Sequence, residues 1–296
     1  MFQTATLKNG VRLLTIPVPA VPSVSVLVLI KTGSRNESEQ TNGLAHFTEH
    51  MCFQGNNKWP NKMAIGTEVD SIGAEYNGMT GKEYTGYYIK AEDKHLKLGL
   101  DVLSHMINNS KFAEAEIAKE KGVITEEIHY RNDVPQIAVA DMAVEMVFQG
   151  NSLGLSGAGE TEAVQKFQRS DFLAFHQQEY LSKNTIVIVA GSFKQNDAEK
   201  NTEELYGMMP SGETMSFDPW TGSVASTKIR VKEKDAEQSH LCLAMESIKK
   251  TDPKRYALSL LNIILGSGFS SRLFQKIREE QRIAYYIDSD ADPYTD

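Results

Sequence analysis

In the stretch Gly43-Leu44-Ala45-His46-Phe47-Thr48-Glu49-His50-Met51, two histidines stand four residues apart with a glutamate between them. Four residues is close to one helical turn, so on a helix His46 and His50 share a face. Leu44, Phe47 and Met51 lie largely on the other side and can bury that helix against a core. The order His-x-x-Glu-His inverts the commoner His-Glu-x-x-His zinc motif. Two imidazoles leave a catalytic zinc site one protein ligand short, because such sites take three and keep a fourth position for water. Glu49 precedes His50 by one residue and follows His46 by three, near the mouth of any site the histidines make.

The third ligand is sought in a helix predicted over 113–131, which carries Glu114, Glu116, Glu120, Glu126 and Glu127. Glu127 has Val123 and Ile124 one turn before it and Ile128 beside it, so it borders the buried stripe. Glu126 has Gly122 one turn back and faces outward. A carboxylate held against an apolar stripe needs a partner, and a dication supplies one. A pair of half-exposed glutamates on an amphipathic helix would leave the same letters. With zinc on His46, His50 and Glu127, a water would be acidified toward neutrality. Glu49 would take its proton and pass it to a leaving amine, hydrolysing a peptide bond without a covalent intermediate. Glu120, two turns before Glu127 on the same face, would orient a ligand or the water.

These residues need elements to carry them. Strands are expected at 2–7 and 11–17, joined at Asn9-Gly10, and a buried strand at 24–31. The motif helix ends at Gly55, and a second helix at 61–72 ends at Gly73. Strands at 74–79 and 83–90 form a hairpin around Thr80-Gly81-Lys82. Helices follow at 93–108, 113–131 and 136–148. The Gly-rich run from Gly150 to Gly159 lacks the Lys-Ser/Thr ending of a phosphate loop. A helix at 169–180, a strand at 185–191 and a helix at 195–206 complete a first unit.

Residues 209–226 are rich in Pro, Gly, Ser and Thr, so a boundary falls there. The domains read as 1–210, a linker 211–226, and 227–296. The last segment restarts the opening theme with strands at 228–232 and 240–245 and an apolar helix at 256–265, but carries no His or Glu where the ligands stood. A helix at 270–280 and a strand at 283–289 follow. The expected fold class is α+β: two related sandwich-like units of mostly antiparallel sheet with helices packed on it, the second apparently incomplete.

The chain has 296 residues, enough for two domains, and a net charge of −8 that gives nucleic-acid binding no electrostatic support. Its longest apolar run, at 24–30, is too short to span a bilayer, and the N-terminus has no secretory or transit pattern. Two cysteines, Cys52 and Cys242, make no disulfide framework; Cys52 points away from the histidine face and reads as core. A cytoplasmic location is the default expectation.

The sequence resembles the pitrilysin/insulinase family of inverted-motif zinc metallopeptidases, in its bacterial, mitochondrial-processing-peptidase-like branch. The resemblance rests on residues 43–51 with Phe53 and Gly55, and on Lys31-Thr32-Gly33-Ser34-Arg35-Asn36-Glu37 before them. Gly122-Val123-Ile124-Thr125-Glu126-Glu127-Ile128 resembles the third-ligand helix, and residues 270–279 a helix of the second domain. The resemblance implies zinc, a repeated α+β unit, and two units closing a chamber round an unfolded peptide. It implies that Asn77, Gly78, Met79 and Thr80 belong to an edge strand that takes the substrate as an added strand, and that Phe53 serves substrate binding. Gly78 stands where the family tends to carry alanine, which would loosen that strand. The family's substrate-holding Arg/Tyr pair would, by pattern, fall beyond Asp296. The expected activity is a zinc endopeptidase acting on unfolded peptides. The alternative is a peptide-binding subunit, active only with a partner in a homo- or hetero-dimer that completes the chamber.

Overall fold

The structure is a computed structural model that describes residues 2–212, 216–222 and 228–296. Residues 213–215 and 223–227, which include parts of the expected linker and the first residue of the segment after it, lie outside the described residues. The chain divides into two compact units, Met1–Asp218 with Lys232–Cys242, and Pro219–Val231 with Leu243–Asp296.

The first unit is built on one six-stranded sheet. Its strands are β1 (Gln3–Thr6), β2 (Arg12–Pro17), β3 (Ser23–Ile30), β4 (Glu75–Thr80), β5 (Thr85–Glu92) and β6 (Thr185–Gly191), in the order β1-β2-β6-β3-β5-β4. All neighbours are antiparallel except β2 and β6. The β1–β2 and β4–β5 hairpins follow from local turn chemistry; the pairing of β3 with β5 and the placement of β6 between β2 and β3 do not. Along β3 the apolar residues Val24, Val26, Val28 and Ile30 are buried while the alternate residues are half-buried, so this strand is fully covered on one face only. β4 is an outer edge, with one side of its backbone unpaired within the sheet.

Helices α3 (Leu96–Asn108) and α8 (Gln195–Tyr206) contribute Leu100, Leu103, Met106, Ala198 and Tyr206 to a core that includes Val26, Val28, Ile89 and Val187 of the sheet. A second core joins α1 (Leu44–Cys52), α4 (Glu114–Asp133), α6 (Thr161–Lys166) and α7 (Arg169–Glu179) through Leu44, Phe47, Met51, Ile117, Ile124, Ile128, Val164 and Phe172. Cys52, at the end of α1, belongs to the first core, so α1 bridges the two. Burial pushes the Cys52 thiol up to about 12, which makes it an inert packing residue. Two further helices complete the unit, α2 (Lys62–Ser71), capped by the Asn61 side chain on Ala64 N–H, and α5 (Pro135–Val147). Pro135 forces Val134 into extended backbone, which ends α4 two residues later than the periodicity predicts.

In the second unit α9 (Arg255–Gly266) forms, and Phe274–Glu280 is a π-helical turn. The strands expected at 228–232, 240–245 and 283–289 do not form among the described residues. An extended run becomes a strand only when a neighbour takes its N–H and C=O groups, and no ladder among the described residues includes these runs. Their alternating apolar residues, Leu241, Leu243 and Met245 among them, are consequently exposed.

Candidate metal centre and active site

α1 is started by an unusual device. Gly43 precedes it with φ +97°, a left-handed conformation that glycine adopts without strain. A side chain there would meet the carbonyl of Ala158 and the Cα of Gly159, so the Gly-rich loop packs directly on this turn. No local Ser, Thr, Asp or Asn caps the helix. Instead the buried carboxyl of Glu37 accepts from Gly43 N–H at 2.9 Å, Ala45 N–H at 2.6 Å and the Asn42 amide at 3.0 Å. These bonds satisfy orphan donors at the start of the helix and oppose the burial that pushes the Glu37 carboxyl up to about 8.

The motif face of α1 turns toward α4 and β4. His46, Glu49 and His50 offer ligand atoms that all lie within 4.8 Å of one another. Glu127 of α4 brings Oε2 to 3.6 Å from His46 Nε2 and 3.7 Å from His50 Nε2. These separations are too long for hydrogen bonds, yet close to the ~3.4 Å between donors that share one tetrahedral ion at about 2.0–2.1 Å. Two imidazoles and a carboxylate are the donor set that suits zinc. Glu126 is exposed and faces His129, away from the centre.

Glu120 accepts from His50 Nδ1 at 2.8 Å, and its other oxygen accepts from Gln54 at 2.7 Å. A proton held on Nδ1 leaves the Nε2 lone pair free to face Glu127. Burial opposes the charged form of His50, but the bond to Glu120 and the nearby carboxylates outweigh it and move its pKa up. Burial, with the charges of His50 and Arg131, drives His46 down to about 3, so this ring is neutral. His46 Nδ1 is buried without a hydrogen-bond partner among the described residues, so packing and the environment of Nε2 orient the ring.

Glu49 is 7% exposed, and burial lifts its carboxyl to about 6 despite the opposing influence of His50 and a bond from Thr80 Oγ1 at 3.3 Å. A carboxylate of that basicity can take a proton near neutral pH and give it back. β4 alternates beside it: Tyr76, Gly78 and Thr80 are half-buried, whereas Glu75, Asn77 and Met79 are exposed. Asn77 and Met79 therefore project to the opposite face from Gly78, and Asn77 Oδ1 accepts from Gly78 N–H. Phe53, just past α1, lies against Tyr76 with ring centroids 5.7 Å apart. Three contributors, Gln54, Thr80 and Glu37, are given no role at the metal centre by sequence reasoning. Gln54 is one turn after His50, and Thr80 two residues after Gly78, so both carried a periodicity signal. Glu37 carried none.

The chain matches the family model "Insulinase (Peptidase family M16)" over residues 12–161 and "Peptidase M16 inactive domain" over 166–296. It is 37% identical over its full length to an uncharacterized zinc protease of Rickettsia bellii and 35% identical to the uncharacterized zinc protease YmxG of Bacillus subtilis, covering 71% of each. A crystal structure of a protease from Helicobacter pylori superposes on all of the chain with a TM-score of 0.86 at 21% identity, covering 72% of that protein. The fold and the site thus define a zinc-protease class. The chain belongs to the insulinase family of peptidases, whose metal is zinc.

Proposed function

We propose that the protein is a zinc-dependent endopeptidase that hydrolyses unfolded peptides or small polypeptides. The observation that carries this reading is the convergence of His46, His50 and Glu127 beside a buried Glu49 next to an edge strand with one free side. His46, His50 and Glu127 would hold zinc, which when bound supplies Lewis acidity for water and for the scissile carbonyl. Glu49 accepts a proton from the attacking water on its carboxylate and delivers it to the leaving amine. Glu120 keeps His50 in the tautomer that presents Nε2. The free side of β4 binds the peptide main chain as an added strand, with Gly78 toward the base and Phe53 and Tyr76 lining the face next to it; Asn77 and Met79 border the strand from its other face.

In this reading residues 1–210 form the catalytic domain and 227–296 part of a second, metal-free domain after a linker at 211–226. The exposed Leu241, Leu243 and Met245 support pairing in a dimer that encloses the peptide. Among the described residues no helix is long and apolar enough to cross a membrane, and a cytoplasmic location remains part of the proposal.

The test is zinc content together with hydrolysis of a quenched, unstructured peptide by the same purified chain. Glu49→Gln is expected to keep one zinc and lose turnover by at least about a hundredfold; His50→Ala is expected to lose both. Full turnover in Glu49→Gln would overturn the assignment of the base, and absence of zinc from the parent would overturn the site.

A further inference from the structure

The buried carboxylate of Glu120 is held at both ends by one stretch of chain. His50 Nδ1 lies 2.8 Å from its Oε1, and the Gln54 amide donates to its Oε2 at 2.7 Å. An ionised carboxylate only accepts, so Gln54 presents its NH2 there and not its carbonyl. The torsion that turns a glutamate's carboxyl group is broad and weakly restrained on its own. A bond to one oxygen leaves that plane free to swing, whereas a bond to each oxygen fixes it.

Gln54 is itself held in place. Its backbone N–H donates to Met51 O at 3.1 Å, which carries the turn of α1 one step past His50. The next residue, Gly55, has φ +121°, and a side chain there would meet the backbone of Pro60 and Asn61 at 2.5–2.8 Å. Gly55 O accepts from Lys111 N–H at 3.2 Å, and Asn56 bridges to Ser110. The turn that carries Gln54 is thus pinned to the segment leading into α4, the helix that carries Glu120.

We infer that Gln54 is a positioning residue for the metal centre: together with His50 it clamps the Glu120 carboxylate, and through that carboxylate it sets the plane of the His50 ring and the direction of Nε2. It rests on the reading of His50 as a zinc ligand. His46 Nδ1 has no hydrogen-bond partner among the described residues, so of the two imidazoles only His50 is aimed through its far nitrogen.

Two measurements test the clamp. The first is the zinc dissociation constant, read by competition with a chromogenic chelator, for the parent, Gln54→Leu, Glu120→Ala and the double variant. Leucine keeps much of the bulk and removes the donor. Gln54→Leu is expected to raise the constant about three- to tenfold in the parent and by less than about twofold in the Glu120→Ala background. Gln54→Lys, whose ammonium also donates, is expected to bring affinity back to within about threefold of the parent. Equal losses in both backgrounds, or a lysine variant no better than leucine, would overturn the clamp. A lowered unfolding midpoint with an unmoved dissociation constant would leave Gln54 a mere link between α1 and α4, and would overturn the positioning role. The second measurement needs no metal: nitrogen-15 NMR of the histidine rings in the metal-free protein, with the His50 signals assigned by their loss in His50→Ala. The His50 Nδ1–H is expected to exchange with water at least about fivefold faster in Gln54→Leu than in the parent, and an unchanged rate would overturn the clamp. If the parent binds no zinc, the proposed function fails, and the exchange rate alone then decides whether Gln54 holds Glu120 against His50.

Discussion

Removing Glu120 should weaken zinc binding without touching a ligand. Its carboxylate is 7% exposed and takes a 2.8 Å bond from His50 Nδ1 and a 2.7 Å bond from Gln54. A buried bond to an ionised acceptor contributes about 1.5–3 kcal/mol. Each 1.4 kcal/mol is about tenfold in affinity, so Glu120→Ala is expected to raise the zinc dissociation constant roughly ten- to hundredfold. Glu120→Gln keeps an acceptor for Nδ1–H but presents an amide to Gln54, which must rotate to offer its own carbonyl. Its loss should be about tenfold or less. The assay is competition for zinc against a chromogenic chelator, with far-ultraviolet circular dichroism to establish that each variant is folded. His46 Nδ1 has no comparable partner, so the whole of this indirect effect should pass through His50. A folded Glu120→Ala protein with zinc affinity within twofold of the parent would refute the argument that this carboxylate orients the ligand.

Two more outcomes follow from the surroundings of the site. Glu37→Ala leaves the N–H groups of Gly43 and Ala45 and the Asn42 amide without their acceptor; a loss of about 3 kcal/mol or more, seen as a drop of several degrees in the unfolding midpoint, is expected, and an unchanged midpoint would show that α1 needs no such cap. His176 is a pH probe: burial lowers its pKa below 6.5, outweighing the opposing bond that its Nε2–H donates to the Ile107 carbonyl at 2.6 Å. Below pH 6.5 the unfolded chain binds a proton that the native state refuses, so stability falls as pH drops from 6.5 toward the native pKa. His176→Gln should flatten that part of a stability–pH curve measured by urea denaturation, and a curve of unaltered slope would count against the role.

The sequence by itself determined the local parts. Asn9-Gly10 specifies the β1–β2 hairpin, the β-branched run from Val24 specifies β3, and the hydrophobic stripe of α4 separates Glu127 from Glu126. The spacing of His46 and His50, and of Glu120 and Glu127, needs only the helical repeat. Tertiary structure decided the rest. The strand order that inserts β6 between β2 and β3 depends on partners more than ninety residues apart. The cap on α1 is also decided by the folded chain, because a glutamate six residues upstream of Gly43 becomes one only when the loop from Thr32 folds back. The meeting of Glu127 with both imidazoles, and of Glu49 with Gly78, joins separate elements across packed faces, which no periodicity encodes. The strands expected at 228–232, 240–245 and 283–289 and not formed among the described residues have the same origin: alternation specifies a face for burial, but only a neighbouring strand makes the segment β.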